Sequence, residues 1–197
     1  MKVIQENKAN IGEVVTALKN GAVLVLPTDT VYGLVCDATN KKAVEKIFKI
    51  KKRDKIKPLP VFVKDIKMAE ELAEISRGQK VILKKYWPGK FTFVLKLKKT
   101  ETRPLSSLVA GKDNTIALRV PKYKLLNDLL KKINRPLAQT SVNISGQPPL
   151  TKMKEIIAVF INNELKPDLI IDAGDLVESK PSKIVDLSAG KGKVLRY

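Results

Sequence analysis

The chain has 197 residues, 38 of them Lys or Arg against 20 Asp or Glu, with no His and a formal net charge of +18. The absence of His excludes Ser-His-Asp and Cys-His nucleophilic sites and every His-ligated metal, and a lone Cys36 excludes an internal disulfide or a multi-thiolate zinc site. Hydrophobic residues at 44% beside 29% charged ones are those of a globular protein, the opening "MKVIQENKANIGEVV" has no secretory pattern, and no apolar run approaches the ~20 residues of a membrane span. A single domain over 1–197, a cytoplasmic location and no membrane partner are expected.

In chain order, Asn10 with Glu13 three positions on opens a helix whose apolar face is Val14, Val15 and Leu18, and Gly21 stops it. "AVLVLP" from Ala22 is a fully apolar strand, and "VYGLVCDA" from Val31 is another. Asn40 caps a helix through Ile50 that buries Val44, Ile47 and Phe48, and "LPVFV" at 59–63 is strand-like. Asp65 caps a helix to about Ile75, and "QKVILKKY" continues helically until Pro88-Gly89.

"FTFVLKL" alternates at its end as a strand with one exposed face, and a basic loop spans residues 98–114. "TIALRV" is a strand ended by Pro121; Leu125, Leu126, Leu129, Leu130 and Ile133 then recur at helical spacing. "PLAQTSVNISGQPP" is a strand followed by a loop, and Thr151 caps a helix to about Asn163. "DLIIDAG", "SKIVDL" and "KVLRY" are closing strands. Interleaved helices and strands, with several strands adjacent, predict an α/β fold with a mixed parallel and antiparallel sheet and flanking helices. No linker or internal repeat divides it.

Neither GxxxxGK[ST] nor a GxGxxG between strand and helix is present, and "SAGKGK" between two short strands reads as a hairpin turn rather than a phosphate loop. Three stretches put small polar or cationic groups where strands or helices end. "LPTDTVYG" sets Thr28, Asp29, Thr30 and Tyr32 after an apolar strand, where α/β sheets gather ligands, although a turn capped by its own hydroxyls is the plainer reading. "FKIKKRDKIKPLPVFVK" from Phe48 is a charge run. If the chain is extended there, Lys51 and Arg53 share one side while Lys52 and Lys55 face water, and Pro58 restricts Lys57 to extended conformations. "QTSVNISGQPP" spaces Ser141 and Asn143 by one residue before Ser145, Gly146 and a rigid diproline, which suits a fixed hydrogen-bonding site or a structural loop.

Taken together, "PTDTVYGL", the Lys51-x-Arg53 pair, "YWPGKFTFVL", "TIALRVP", "TSVNISGQP" and "SKIVDL…VLRY" resemble, in order and over about residues 10–197, the YrdC/TsaC-like threonylcarbamoyl-AMP synthases. The resemblance implies a YrdC-like fold with a concave basic face. It implies an enzyme, a nucleotidyltransferase that joins L-threonine, bicarbonate and ATP into threonylcarbamoyl-AMP and pyrophosphate. A separate transferase then completes threonylcarbamoyladenosine in tRNA, and direct contact with tRNA or double-stranded RNA is a further expectation. It carries Lys51, Arg53, Ser141 and Asn143 over as the reacting constellation; Thr30, Arg119, Gln139 and Ser182 as the threonine and bicarbonate pocket; and Arg53, Lys57, Thr115, Ser141, Pro149 and Arg196 as the ATP site.

Mg²⁺ is expected to arrive with ATP and to take no ligand from protein side chains. The chain departs from the family pattern in having Phe62 where many relatives carry a histidine, Lys90 in a W-P-G-P stretch, and Ser182-Lys183 for a Ser-Thr pair, and it ends as the short form. The alternative function is a noncatalytic RNA-binding paralogue. A carbamoyl-transfer role in hydrogenase maturation would need further zinc-finger and acylphosphatase-like domains.

Overall fold

The protein was analysed as a computed structural model that describes residues 1–98, 105–189 and 192–196. Part of the basic loop expected over 98–114, part of the "SAGKGK" turn and the final Tyr197 lie outside the described residues. No helix among the described residues is long and apolar enough to cross a membrane.

The chain order is β1 (Lys2–Gln5), α1 (Ile11–Lys19), β2 (Leu24–Leu26), β3 (Gly33–Asp37), α2 (Lys41–Lys51), β4 (Val61–Phe62), α3 (Ile66–Leu72), β5 (Ala73–Glu74), α4 (Arg77–Tyr86) and β6 (Phe91–Leu97). It continues with β7 (Ala110–Gly111), β8 (Thr115–Arg119), α5 (Lys124–Ile133), β9 (Leu137–Ser141), α6 (Met153–Ile161), β10 (Leu169–Asp172), β11 (Lys183–Asp186) and β12 (Lys193–Arg196). The described strands form one 12-stranded sheet in the order β1-β10-β2-β3-β9-β4-β8-β6-β11-β12, with β5 on β6 and β7 on β8. Pairing is mixed: β1–β10, β10–β2, β4–β8 and β11–β6 are parallel, while β2–β3, β3–β9, β4–β9 and β6–β8 are antiparallel.

Strand alternation sorts the core onto two faces. Leu24, Leu26, Val35, Phe62 and Leu137 face α1 and α5, which bury Val14, Val15, Leu18, Leu126, Leu129 and Leu130 against them. Val25, Leu34, Cys36, Val61, Ala138, Phe93, Leu95, Ile116 and Leu118 face the other way, with α2 (Val44, Ile47, Phe48) among their partners. Central β2 and β3 are therefore buried throughout, which is why both read as unbroken apolar runs.

Several local readings need correction. β1 was not anticipated: it is an edge strand whose residues are exposed apart from a half-buried Ile4, so it carries no apolar signal. The helix expected from Asp65 through "QKVILKKY" is two helices. Asp65 accepts from Met68 N, but α3 stops at Leu72, β5 intervenes, and Ser76 opens α4 with a reciprocal capping box to Gln79. Thr151 does not cap α6; its N-terminal residue Met153 donates its N–H to Asp175 Oδ1 instead. Asn10 and Asn40 do cap α1 and α2, accepting from Gly12 and Glu13 N–H and from Ala43 N–H respectively.

Candidate active site

α1 and α5 cover only part of their face of the sheet. Beyond them the same face carries Gln139 and Ser141 of β9, Ala117 and Arg119 of β8, Val94 of β6 and Ile184 of β11, each in phase with Leu137 or Phe62 along its own strand or its neighbour. These residues line a cleft of about 260 Å³, walled by Thr28, Thr30, Tyr32 and Gly33 from the turn between β2 and β3, by Arg53, Pro58 and Pro60 after α2, and by Pro181, Ser182, Leu195 and Arg196 near the end of the chain. Among the described residues every charged side chain lining it is an arginine: Arg53, Arg119 and Arg196.

Arg119 is held on three sides. Its Nε donates to Gly89 O at 2.9 Å, Nη1 to Thr30 Oγ1 at 3.3 Å and Nη2 to Asp29 Oδ1 at 2.6 Å. Only 2% of the side chain is exposed, and its guanidinium sits 5.6 Å above the Phe62 ring. Gly89 is needed at that turn, because a Cβ there would lie 2.8 Å from Tyr86 O. Burial lowers the pKa of the Arg119 guanidinium, and Asp29 opposes the shift. Phe62 thus occupies the floor under Arg119, where it supplies a ring face and no hydrogen bond.

Arg53 donates from Nε to Lys57 O and from Nη2 to Pro58 O, so the turn it starts also fixes its own side chain. Arg196 donates from Nε and Nη2 to Ser182 O, and Nη2 also reaches Ser182 Oγ, which shares a hydrogen bond with buried Thr92. Burial lowers the pKa of both groups, and for Arg196 the charges of Arg119 and Arg53 add to the shift. The three cations therefore repel one another across an open cleft, an arrangement that an anion relieves.

Lys51 and Arg53 do flank exposed Lys52, but not through an extended chain. Lys51 is the last residue of α2, and Lys52 turns the backbone with φ 50 and ψ 43. Lys51 does not line the cleft. It is 2% exposed and donates Nζ to Ser141 O at 2.6 Å, to Asn143 O at 3.1 Å and to Asn143 Oδ1. Asn143 Oδ1 also accepts from Ser141 Oγ, and its Nδ2 donates to Gln147 O. Three acceptors match the three N–H groups of an ammonium, while burial and, less strongly, Arg53 push the Lys51 pKa down to about 7.

The structure thus brings Thr30, Arg53, Arg119, Gln139, Ser141, Ser182 and Arg196 to one cleft, and sets Lys51 and Asn143 behind it as the brace of the Ser141 turn. Thr115 begins β8 two residues before Ala117, on the same face. Lys57 is exposed; its carbonyl accepts from Arg53 Nε and its N–H donates to Asp54 O. Pro149 lines an adjoining hollow of about 420 Å³ that shares Pro181 with the cleft. Sequence reasoning placed Asp29 in the "PTDT" turn without a partner for it, and gave no role to Ser179 (Oγ to Thr30 O, 2.7 Å) or Thr92.

Residues 16–197 match the family model Sua5_yciO_yrdC, described as telomere recombination. A Pyrococcus abyssi threonylcarbamoyl-AMP synthase is 33% identical over 91% of this chain and 51% of its own length, so the chain spans about half of that relative. A threonylcarbamoyl-AMP synthase from Psychromonas ingrahamii is 29% identical over 93% of this chain and 95% of its own length. The crystal structure of P. abyssi Sua5 complexed with L-threonine superposes with a TM-score of 0.85 at 30% identity, covering 99% of this chain and 56% of that one.

Proposed function

The chain belongs to the Sua5/YciO/YrdC family, and we propose that it is a threonylcarbamoyl-AMP synthase, which makes threonylcarbamoyl-AMP and pyrophosphate from L-threonine, bicarbonate and ATP. The observation that carries this reading is the cleft whose charged lining, among the described residues, is arginine alone. The reaction demands such a lining. A carbamate oxygen has to attack the α-phosphorus of ATP, and two like unit charges ~4 Å apart at an effective dielectric of ~20 repel by about 4 kcal/mol. Fixed cations, rather than a proton-transfer base, answer that repulsion, which suits a chain without histidine.

In this reading Arg119 takes the threonine carboxylate, and Thr30, Gln139 and Ser182 border the amino acid and the bicarbonate-derived carbon. Arg53 and Arg196 neutralise the triphosphate and the departing pyrophosphate, guanidinium forks being suited to phosphate oxygens. Thr115, Lys57 and Pro149 border the nucleotide. Ser141 lies at the junction of the two halves, held there by Lys51 and Asn143, which act through its turn. Among the described residues no group of three or more carboxylate or thiol side chains could hold a metal, and ATP is taken to enter as its magnesium complex, with the ion on phosphate oxygens.

Released pyrophosphate tests the proposal. Purified protein with ATP and magnesium releases it only when threonine and bicarbonate are both present; release independent of threonine, or none under any condition, contradicts the reading.

A further inference from the structure

The turn between β2 and β3 contains a hydrogen-bond chain whose direction can be assigned atom by atom. Thr28 Oγ1 lies 2.7 Å from Val31 O, and a carbonyl only accepts, so the single hydroxyl proton of Thr28 is spent there. Thr28 Oγ1 also accepts from Thr30 N–H at 3.0 Å. In the 3.0 Å contact between the two hydroxyls Thr30 must therefore be the donor. Thr28 Oγ1 is then saturated, with one proton given and two accepted. Thr30 Oγ1 has used its only proton and accepts from Arg119 Nη1, so one further lone pair is all it has to offer a ligand.

Arg119 is constrained in the same sense. Of the five N–H donors of a guanidinium, Gly89 O, Thr30 Oγ1 and Asp29 Oδ1 take three, leaving one on each terminal nitrogen. Asp29 does this at a cost. Its side chain is 9% exposed, and its second oxygen, Oδ2, is buried with no hydrogen-bond partner among the described residues, an arrangement that stability alone disfavours.

We propose that Thr28 and Asp29 are the positioning residues of an amino-acid subsite, Thr28 making Thr30 Oγ1 an acceptor only and Asp29 turning the two free N–H groups of Arg119 toward the ligand. Two donors beside one acceptor complement a carboxylate with an amine on the adjacent carbon. The subsite thereby selects α-amino acids over otherwise similar carboxylic acids. The inference rests on the synthase reading only in taking threonine as the amino acid.

Calorimetric titration of the full chain with threonine and with 3-hydroxybutyrate, which lacks only the α-amine, tests it. Loss of one hydrogen bond to a charged group is worth about tenfold or more, so the wild type should prefer threonine by that factor. Thr28→Val should bring the preference to within about threefold and Thr28→Ser should recover it, because only the hydroxyl sets the polarity. Asp29→Asn should weaken both acids by about tenfold while leaving their ratio intact. Should melting show that Thr28→Val does not fold, Thr28→Ala replaces it. A full preference in the hydroxyl-free variant, no preference in the wild type, or unchanged carboxylate binding in Asp29→Asn overturns the proposal. A wild type that shows the preference yet releases no pyrophosphate supports the subsite and overturns the synthase reading.

Discussion

Lys51 and Arg53 differ by two positions and by what their charge can reach. Arg53 lines the cleft, whereas Lys51 spends its Nζ on Ser141 and Asn143. Arg53→Ala is expected to lower turnover by about 100-fold or more, the scale of losing one transition-state donor, while Lys52→Ala stays within about twofold, as exposed substitutions do. Equal losses in steady-state pyrophosphate assays would mean that the run acts as a diffuse patch. For Lys51 the sign of the pH effect follows from its pKa of about 7 in the fold, below its ordinary value of 10.5. Between those values the unfolded chain binds the extra proton, so the unfavourable contribution of this group to stability is largest at and below pH 7 and fades as pH rises through the window. Lys51→Met should therefore flatten the pH dependence of the urea midpoint across that range, and parallel curves would contradict the assignment. Residue types and spacing made Lys51, Arg53, Ser141 and Asn143 legible as a set. Their division into lining and brace was not legible, because it depends on where α2 ends and Lys52 turns.

The elements that present the site owe their stability to helices packed beside the cleft on the same face of the sheet. α5 buries Leu126, Leu129 and Leu130 completely against β2, β3 and β9, so Leu129→Ala should cost about 2–5 kcal/mol in urea unfolding, with the loss falling on stability before substrate affinity. At the end of α2, Lys52 adopts a left-handed conformation that glycine tolerates better. Lys52→Gly is expected to raise stability by about 0.5 kcal/mol, the net of relieved strain and added chain entropy. A lower urea midpoint in that variant would count against the capping account. Apolar runs and Asn caps disclosed most of these elements from local sequence alone. The split between α3 and α4 was also written locally, in Ser76 and Gln79, but the apolar positions on either side masked it. The cap of α6 comes from Asp175, 22 positions away, and no local pattern encodes it.

At the scale of the whole molecule, alternating strands with helices gave the mixed sheet, whereas its order is set by long-range pairing that periodicity does not contain. The cleft shows the same limit: Arg119 meets Asp29 and Thr30 across some 90 positions of sequence, and only the resemblance to a family joined those segments in advance. The net charge of +18 spreads well beyond the cleft. Exposed charges are screened over about 10 Å at 0.1 M salt and buried ones far less. Raising salt from about 50 to 500 mM should therefore raise the KM for ATP by about threefold to tenfold and that for threonine by less, since the proposed carboxylate partner Arg119 is buried and Arg53 and Arg196 are more open. An equal rise for both substrates would indicate that surface charge, not the cleft, governs binding.

The central claim is the identity of the product. Incubation with ATP, magnesium, threonine and ¹³C-bicarbonate, followed by mass spectrometry of the nucleotides, should yield an adenylate that carries both threonine and the labelled carbon, with one pyrophosphate released for each. Unlabelled AMP or ADP formed regardless of threonine, or no new nucleotide at all, would contradict it.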